Sequence, residues 1–549
     1  MGPDVTMVGM APYDGVSVGD PGAVLGNLNA VTADVNNDGL SDLMVGVPFS
    51  DGPGGSRINC GAVYIILGQR QQSVPTVRDL AAAKPDVIIY GAKAEDLLGT
   101  SLASGDVNGD KIADLIIGAP NADGLNNTKP GVGQVYVLFG GPTLTANPVR
   151  DASQGPAGDI TIIGWGVTHP RGPRAGLLDP ERAGASVAVA DVNGDGVDDI
   201  IIGAPGAIGP PNSVRVGELL GNGGAVYVIF GSRNLTTGMV KDLGSGGPTA
   251  TAPVGVDIVI LGRWWQISSG SVGLGTVGEG LGSKIVVGDV NGDQISDIVI
   301  AGPLGTEKTD VGQGIVYVIF GKRTPQISRD MFKTNPDIGG PDAYLTGIRA
   351  GDFLGNVMGI ADVNADGIKD IMLGVSSFNG PGDKRPRAGA VYIVFGSGSL
   401  RGKRDLGDPR SNSRQKPDVF IYGAEPGDGL GFSVAAGDVN GDGVEDVIVS
   451  APSADGPSNR RDGAGEVYIV YGGTGLPTGS FRDVLGEAGP VPDVMIYGAN
   501  TADQVGYSTA VGDYNGDRKP DIVVTSPFND GTPPVQKFKA GAVYLILGR

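Results

Sequence analysis

Short apolar runs, punctuated by Gly, Pro and Asp, recur along the whole chain in a fixed order. An apolar stretch opened by a small residue comes first, as in Leu98-Gly99-Thr100-Ser101-Leu102-Ala103, and an Asp-rich turn follows it. A β-branched run comes next, such as Asp114-Leu115-Ile116-Ile117-Gly118 or Asp446-Val447-Ile448-Val449-Ser450. After a loop opened by Ala-Pro or a relative comes a third run, such as Gln134-Val135-Tyr136-Val137-Leu138-Phe139-Gly140. A polar linker leads to a fourth, as in Asp418-Val419-Phe420-Ile421-Tyr422-Gly423. Runs this short, β-branched or aromatic and bounded by turn residues, predict strands, and no long segment of 3.6-residue period competes. Several runs are apolar throughout, so both faces of each sheet need cover.

The Asp-rich turn fixes the period. Asp-x-Asn-x-Asp-x-x-x-Asp occurs seven times, starting at Asp34, Asp106, Asp191, Asp289, Asp362, Asp438 and Asp513, at intervals of 72, 85, 98, 73, 76 and 75 residues. A length of 549 residues suggests several ordinary domains, but a regular period replaces that with a single repeat array over 1–549. Seven units of four antiparallel strands without helices predict an all-β, seven-bladed β-propeller, in which each blade covers its neighbours. An open solenoid is the rival, and needs polar caps at both ends. The ends of the sequence favour the ring. Gly541-Ala542-Val543-Tyr544-Leu545-Ile546-Leu547-Gly548 reads as a third strand with no fourth. Pro3-Asp4-Val5-Thr6-Met7-Val8-Gly9 reads as a fourth strand with no third, like Pro85-Asp86-Val87-Ile88-Ile89-Tyr90-Gly91. The N-terminal strand is therefore expected to complete blade seven and remove an open edge.

The motif also predicts chemistry. In a tight loop, alternate residues turn inward, so carboxylates at positions one, five and nine, an amide at three and the carbonyl of seven are expected to converge. A set of hard oxygen donors suits Ca²⁺. The sets run over 34–42 (Asp34, Asn36, Asp38, Leu40, Asp42), 106–114 (Asp106, Asn108, Asp110, Ile112, Asp114) and 191–199 (Asp191, Asn193, Asp195, Val197, Asp199). They continue over 289–297 (Asp289, Asn291, Asp293, Ile295, Asp297) and 362–370 (Asp362, Asn364, Asp366, Ile368, Asp370). The last two are 438–446 (Asp438, Asn440, Asp442, Val444, Asp446) and 513–521 (Asp513, Asn515, Asp517, Lys519, Asp521). Up to seven calcium ions, one per blade, are expected. Position twelve holds strand residues such as Val45, Ile117 and Ile202 instead of the Glu an EF-hand needs. Gly39, Gly196, Gly367 and Gly443 at position six suit the turn, while Lys111, Gln294 and Arg518 there make it less free. An Asp/Asn turn that binds nothing is the alternative, but three clustered carboxylates without a cation repel one another.

Composition narrows the classes. Lys and Arg number 40 against 60 Asp and Glu, a net charge of −20, which disfavours nucleic acid and anionic membranes. The 97 glycines are explained as turn chemistry, and 40% hydrophobic residues suffice for a large core. The one cysteine, Cys60, excludes an internal disulfide, and the one histidine, His169, argues against His-based catalysis. No apolar run is long enough for a membrane helix, and no secretory signal is read at Met1-Gly2-Pro3-Asp4-Val5.

The residues flanking the Asp motif resemble FG-GAP repeats, as in the propeller of integrin α-subunits. One half of the signature stands at Leu98-Gly99, Leu281-Gly282, Leu354-Gly355 and Leu430-Gly431-Phe432. The other stands at Gly118-Ala119-Pro120, Gly203-Ala204-Pro205 and Ser450-Ala451-Pro452. The resemblance implies a calcium-binding, extracellular or cell-surface propeller used in adhesion. It departs from integrins in having a calcium loop in every blade and no disulfide, and integrin-type heterodimeric signalling is not carried over. A phospholipase D that cleaves lipid anchors shares such repeats, but its catalytic domain finds no counterpart here.

Calcium loops are expected on a lower face, and ligands on the upper-face loops. The long upper loops at 164–184 and 262–282 carry all three tryptophans, Trp165, Trp264 and Trp265, with His169, Arg171, Arg174, Arg182 and Arg263. Trp and Arg are enriched at binding hot spots, although tryptophans there could equally cap the core. Trp165, His169, Arg171, Arg263, Trp264 and Trp265 are the candidate ligand contacts. The expected function is a non-enzymatic adhesion or protein-interaction module with a protein or glycan ligand. A lectin and an enzyme with an upper-face or channel site are the alternatives.

Overall fold

The computed structural model describes residues 5–8, 30–69, 76–80, 84–124, 128–155, 158–166, 180–208, 223–245, 253–267, 275–306, 312–325, 328–331, 340–347, 349–406, 416–474, 476, 479–487, 490–530 and 541–548. They form seven antiparallel four-stranded blades and almost no helix. Blade one comprises Ala30–Ala33, Asp42–Val47, Ala62–Ile66 and Val87–Tyr90. Blade six comprises Val434–Gly437, Asp446–Ala451, Glu466–Val470 and Val494–Tyr497. The same order holds in the blades between them.

Blade seven closes the ring as expected. Thr509–Gly512, Asp521–Ser526 and Ala542–Ile546 are completed by Val5–Val8, with Val5 opposite Leu545 and Val8 opposite Ala542. Met7 is buried with Leu545, Leu80 and Val523. The seam uses a contact found at three other joints. In these four, the residue before the ninth-position Asp donates its N–H to the first Asp carbonyl of the preceding blade. Asp198 N reaches Asp106 O at 3.0 Å, Lys369 N reaches Asp289 O at 2.9 Å, and across the seam Ser41 N reaches Asp513 O at 3.2 Å.

Second and third strands are apolar on both faces and wholly buried in most blades, because each blade is sandwiched between two others. Every third strand carries a buried Tyr at its centre: Tyr64, Tyr136, Tyr227, Tyr317, Tyr392, Tyr468 and Tyr544. A buried phenol needs a partner. Tyr227 and Tyr317 donate to Glu181 and Glu279 at 2.5 and 2.7 Å. Those acids open their blades, as Asp96 and Asp428 do, and Asp96 and Asp428 accept the N–H groups of Lys93 and Glu425 in their own turns.

The glycines of the repeat signature form the joint between blades. A Cβ on Gly203, in the second strand of blade three, would lie 2.0 Å from the carbonyl oxygen of Gly282, which opens blade four. Gly46 and Gly99 make the same approach between blades one and two, at 2.1 Å. Gly282 holds φ +89°, a conformation that costs a side chain about 1–2 kcal/mol.

Six blades carry a fifth, outer strand that the sequence reading did not anticipate. Thr76–Asp79, Val149–Asp151, Met239–Asp242, Ser328–Asp330, Gly402–Asp405 and Ser480–Asp483 lie in the linkers between third and fourth strands. Each pairs in parallel with the fourth strand of the preceding blade. The stretch read as one long loop at 262–282 contains a hairpin of Trp264–Ile267 and Gly275–Gly278.

Candidate functional site

Each Asp-rich loop joins the first strand of a blade to its second, and all seven lie on one face because the strands alternate in direction. In the second loop, Asp106 Oδ1 accepts the N–H groups of Gly109 and Asp110 at 2.6 and 3.0 Å, and Oδ2 accepts that of Lys111 at 2.8 Å. Asn108 Oδ1 accepts Asp110 N, and Asp110 Oδ1 accepts Ile112 N. Asp114 ties the loop to the sheet, taking Val107 N on one oxygen and Gly140 N on the other. The other six loops repeat the main bonds, with Asp34, Asp191, Asp289, Asp362, Asp438 and Asp513 each accepting N–H groups from positions five and six.

Position six shows why the loops tolerate different residues. Lys111, Gln294 and Arg518 hold φ +72°, +67° and +69°, the same left-handed turn as Gly39, Gly196, Gly367 and Gly443. The backbone is thus shared by the glycine-bearing loops and the others, at a modest strain in the latter.

The ninth-position acids are fully buried. Burial pushes Asp114, Asp199, Asp297 and Asp370 up to about 7, and Asp42 and Asp521 to about 6. Backbone N–H groups partly offset this, while repulsion from other carboxylates of the same loop adds to it. A buried acid held beside two more acids, with oxygen donors only, is a donor set that fits a hard cation. As placed, the carboxylates turn to the loop's own amides, and among the described residues no three acidic groups stand close enough to hold a metal ion. Positions one, three, five, seven and nine remain the residues that could hold one.

The candidate ligand contacts on the opposite face divide. Trp165 is 2% exposed and packs with Ala183, Ile208 and Leu243, so it covers the core of blades two and three. Arg263 is tied down: its Nε donates to the Tyr317 hydroxyl at 2.8 Å, and Glu279 lies 3.5 Å away. Burial pushes Glu279 up to about 7 despite the opposing pull of Arg263 and Tyr317. Trp264 and Trp265 lie in the first strand of the hairpin, and their side chains lie outside the described residues, as do His169, Arg171 and Arg174. Arg182 is exposed in a tight turn at φ +60°.

First strands line the centre of the ring around a cavity of about 320 Å³, bordered by Ser101, Ser186, Lys284, Ser433 and Tyr507 among others. Burial lowers the Lys284 ammonium pKa. Sequence reasoning missed this lysine, because its neighbours around the cavity come from six other repeats. Among the described residues, no helix is long and apolar enough to cross a membrane.

Comparison with known proteins agrees with the fold. Residues 26–66, 98–138, 183–229, 281–319, 430–470 and 505–546 match the FG-GAP repeat. The matches fall on six blades, and blade five has the same strands without a match. This chain is an FG-GAP repeat protein with an integrin-like seven-bladed propeller.

It is 33% identical over 180 residues to the phosphatidylinositol-glycan-specific phospholipase D of Bos taurus, covering 32% of this chain and 19% of that protein. It is 26% identical over 253 residues to integrin alpha-PS2 of Drosophila melanogaster, covering 46% and 15%. With integrin alpha pat-2 of Caenorhabditis briggsae it shares 25% over 297 residues, covering 50% and 18%. The aligned part spans less than a fifth of each of these relatives' own length.

Proposed function

We propose that the chain is a calcium-binding adhesion or protein-interaction module of the cell surface or extracellular space, with its ligand on the loops opposite the Asp-rich face. The observation that carries the calcium reading is the repetition in seven loops of one buried acid beside two further acids, all on oxygen donors. A cation replaces the loop amides as partner of those carboxylates and removes their mutual repulsion. Because neighbouring loops are hydrogen-bonded through Asp106 and Asp198 or Asp513 and Ser41, metal held in them braces the ring. Selective binding to the folded state contributes about 2.7 kcal/mol per site at a hundredfold excess over Kd.

Adhesion is favoured over catalysis because the likeness to phospholipase D covers only 19% of that protein, and the recurring carboxylates serve the loops and turns. The lectin reading rests on the Trp264–Ile267 strand, which contains two consecutive tryptophans. Surface-immobilised protein, probed with extracellular-matrix proteins and a glycan array in calcium and in chelator, tests these readings. Calcium-dependent protein binding supports adhesion. Sugar binding lost on Trp264→Ala and Trp265→Ala moves the assignment to a lectin, and turnover of a phosphodiester substrate moves it to an enzyme.

A further inference from the structure

The six outer strands share a sequence and a parallel pairing, and three of them share a socket. They end in Arg78-Asp79, Arg150-Asp151, Lys241-Asp242, Arg329-Asp330, Arg404-Asp405 and Arg482-Asp483. An apolar residue follows each, including the buried Leu80, Leu243, Met331 and Leu406. That residue donates its N–H to the last residue of the receiving strand, as Leu243 does to Ile163 O at 3.0 Å and Val484 to Tyr422 O at 3.1 Å.

In three of the six, the Asp is caught by a cation four residues before the glycine that opens the receiving blade's third strand. Asp151 meets Arg57 at 2.8 Å, Asp242 meets Lys129 at 2.5 Å, and Asp483 meets Arg385 at 2.7 Å.

Among the described residues, blade six has the socket without the strand. Arg461 stands four residues before Gly465, where Arg385 stands before Gly389 and Arg57 before Gly61. Arg461 donates to the Gly498 carbonyl at 2.7 Å, as Arg385 does to Gly423 at 2.8 Å. No carboxylate pairs with Arg461 among the described residues. The outer edge of Val494–Tyr497 is likewise unpaired among the described residues.

The consequence shows in exposure. Tyr497 is 38% exposed, against 2% for Tyr422 and 9% for Tyr90 at the same register. Met495 is 39% exposed, against 1% for Phe420 and 3% for Ile88. By that register, Met495 and Tyr497 turn their backbone groups to the open edge, as Ile88 does in donating to Pro148 O at 2.7 Å. Natural sheets seldom leave such an edge bare.

We infer that this edge is a docking site for an extended segment of a partner polypeptide, of pattern Arg/Lys-Asp-aliphatic, added as a fifth parallel strand. Ladder hydrogen bonds hold the backbone, Arg461 takes the Asp, and Met495 and Tyr497 are covered. The chain itself supplies three examples of the full complementarity, at Asp151, Asp242 and Asp483. The site is formed whether or not the Asp-rich loops take calcium, so its failure leaves the proposed function standing.

The test uses the full chain in calcium and a fluorescent peptide of residues 477–486, which contains Ser480-Phe481-Arg482-Asp483-Val484. Saturable binding is expected, weakened about tenfold or more in the peptide with Asp483→Arg and in the protein with Arg461→Glu. Combining the two changes should restore binding, a rescue that misfolding cannot imitate. Arg57→Glu, in a filled socket, should leave peptide affinity unchanged. Absence of binding, or equal binding of the Asp483→Arg peptide, overturns the proposal. A dimer that forms without peptide and is dissociated by it assigns the edge to a second copy instead, and also overturns it.

Discussion

Arg385, in the loop between the second and third strands of blade five, grips Asp483 of the next blade's linker with both terminal nitrogens, at 2.7 and 3.0 Å. Both side chains are buried, and Glu487 adds a third contact at 2.8 Å. The pair fastens blade six to the outside of blade five, so the ring is held by an outer belt as well as by its inner strands. Removing one member of such a pair leaves an uncompensated charge. Asp483→Ala should cost about 3–5 kcal/mol and lower the Tm, read by calorimetry. Asp405 lies 3.9 Å from Lys403 with both side chains partly exposed, so Asp405→Ala should change Tm far less.

Ring closure rests on an apolar side chain from the far end of the sequence. Met7 is buried in one apolar cluster with Leu545 and Leu80. Met7→Ala should cost about 2–5 kcal/mol, and should accelerate proteolysis of blade seven before the others. A stable, uniformly resistant variant would contradict closure by the N-terminal strand.

The glycine joint between blades predicts a steep contrast. In Gly203→Ala the new methyl meets a backbone carbonyl that cannot turn aside, so soluble yield and Tm should fall sharply. Gly238→Ala has open space around it and only a left-handed turn at φ +87° to resist, a cost of about 1–2 kcal/mol. Comparing the two melting curves separates contact from backbone strain.

Buried acids at the blade openings give the fold a pH dependence. Burial pushes Asp428 up to about 7, with repulsion from Glu466, Glu425 and Asp455 adding to it. Its folded pKa lies above the unfolded value of 3.8, so its contribution is complete below that value and is lost as pH rises through about 7. At fixed calcium, Asp428→Asn should flatten the fall in Tm between about pH 5 and pH 8. An unchanged slope would contradict the buried-carboxyl account.

The four-strand blades were legible because each strand is an apolar run bounded by turn residues, and the Asp loop marks the period. Closure was legible from two half-blades at the ends of the sequence. The fifth strands escaped because a stretch such as Ser328-Arg329-Asp330 has no apolar alternation and pairs with a different repeat. Their signal was the recurring Arg/Lys-Asp before an aliphatic residue. Trp165 stood in the sequence as either a ligand contact or a cover for the core, and the structure places it in the core with Leu243, which follows a fifth strand. Arg263 looked free because its partners, Tyr317 and Glu279, lie 54 and 16 residues away.

Metal tests the account most directly. Protein stripped with chelator and titrated with calcium, followed by calorimetry and by elemental analysis after dialysis, should bind up to seven ions per chain. Its Tm should rise by roughly 10–15 °C at saturating calcium, and magnesium should do less. No bound calcium and an unchanged Tm would show that these loops are held by their own amides alone, and would contradict the cation-braced ring.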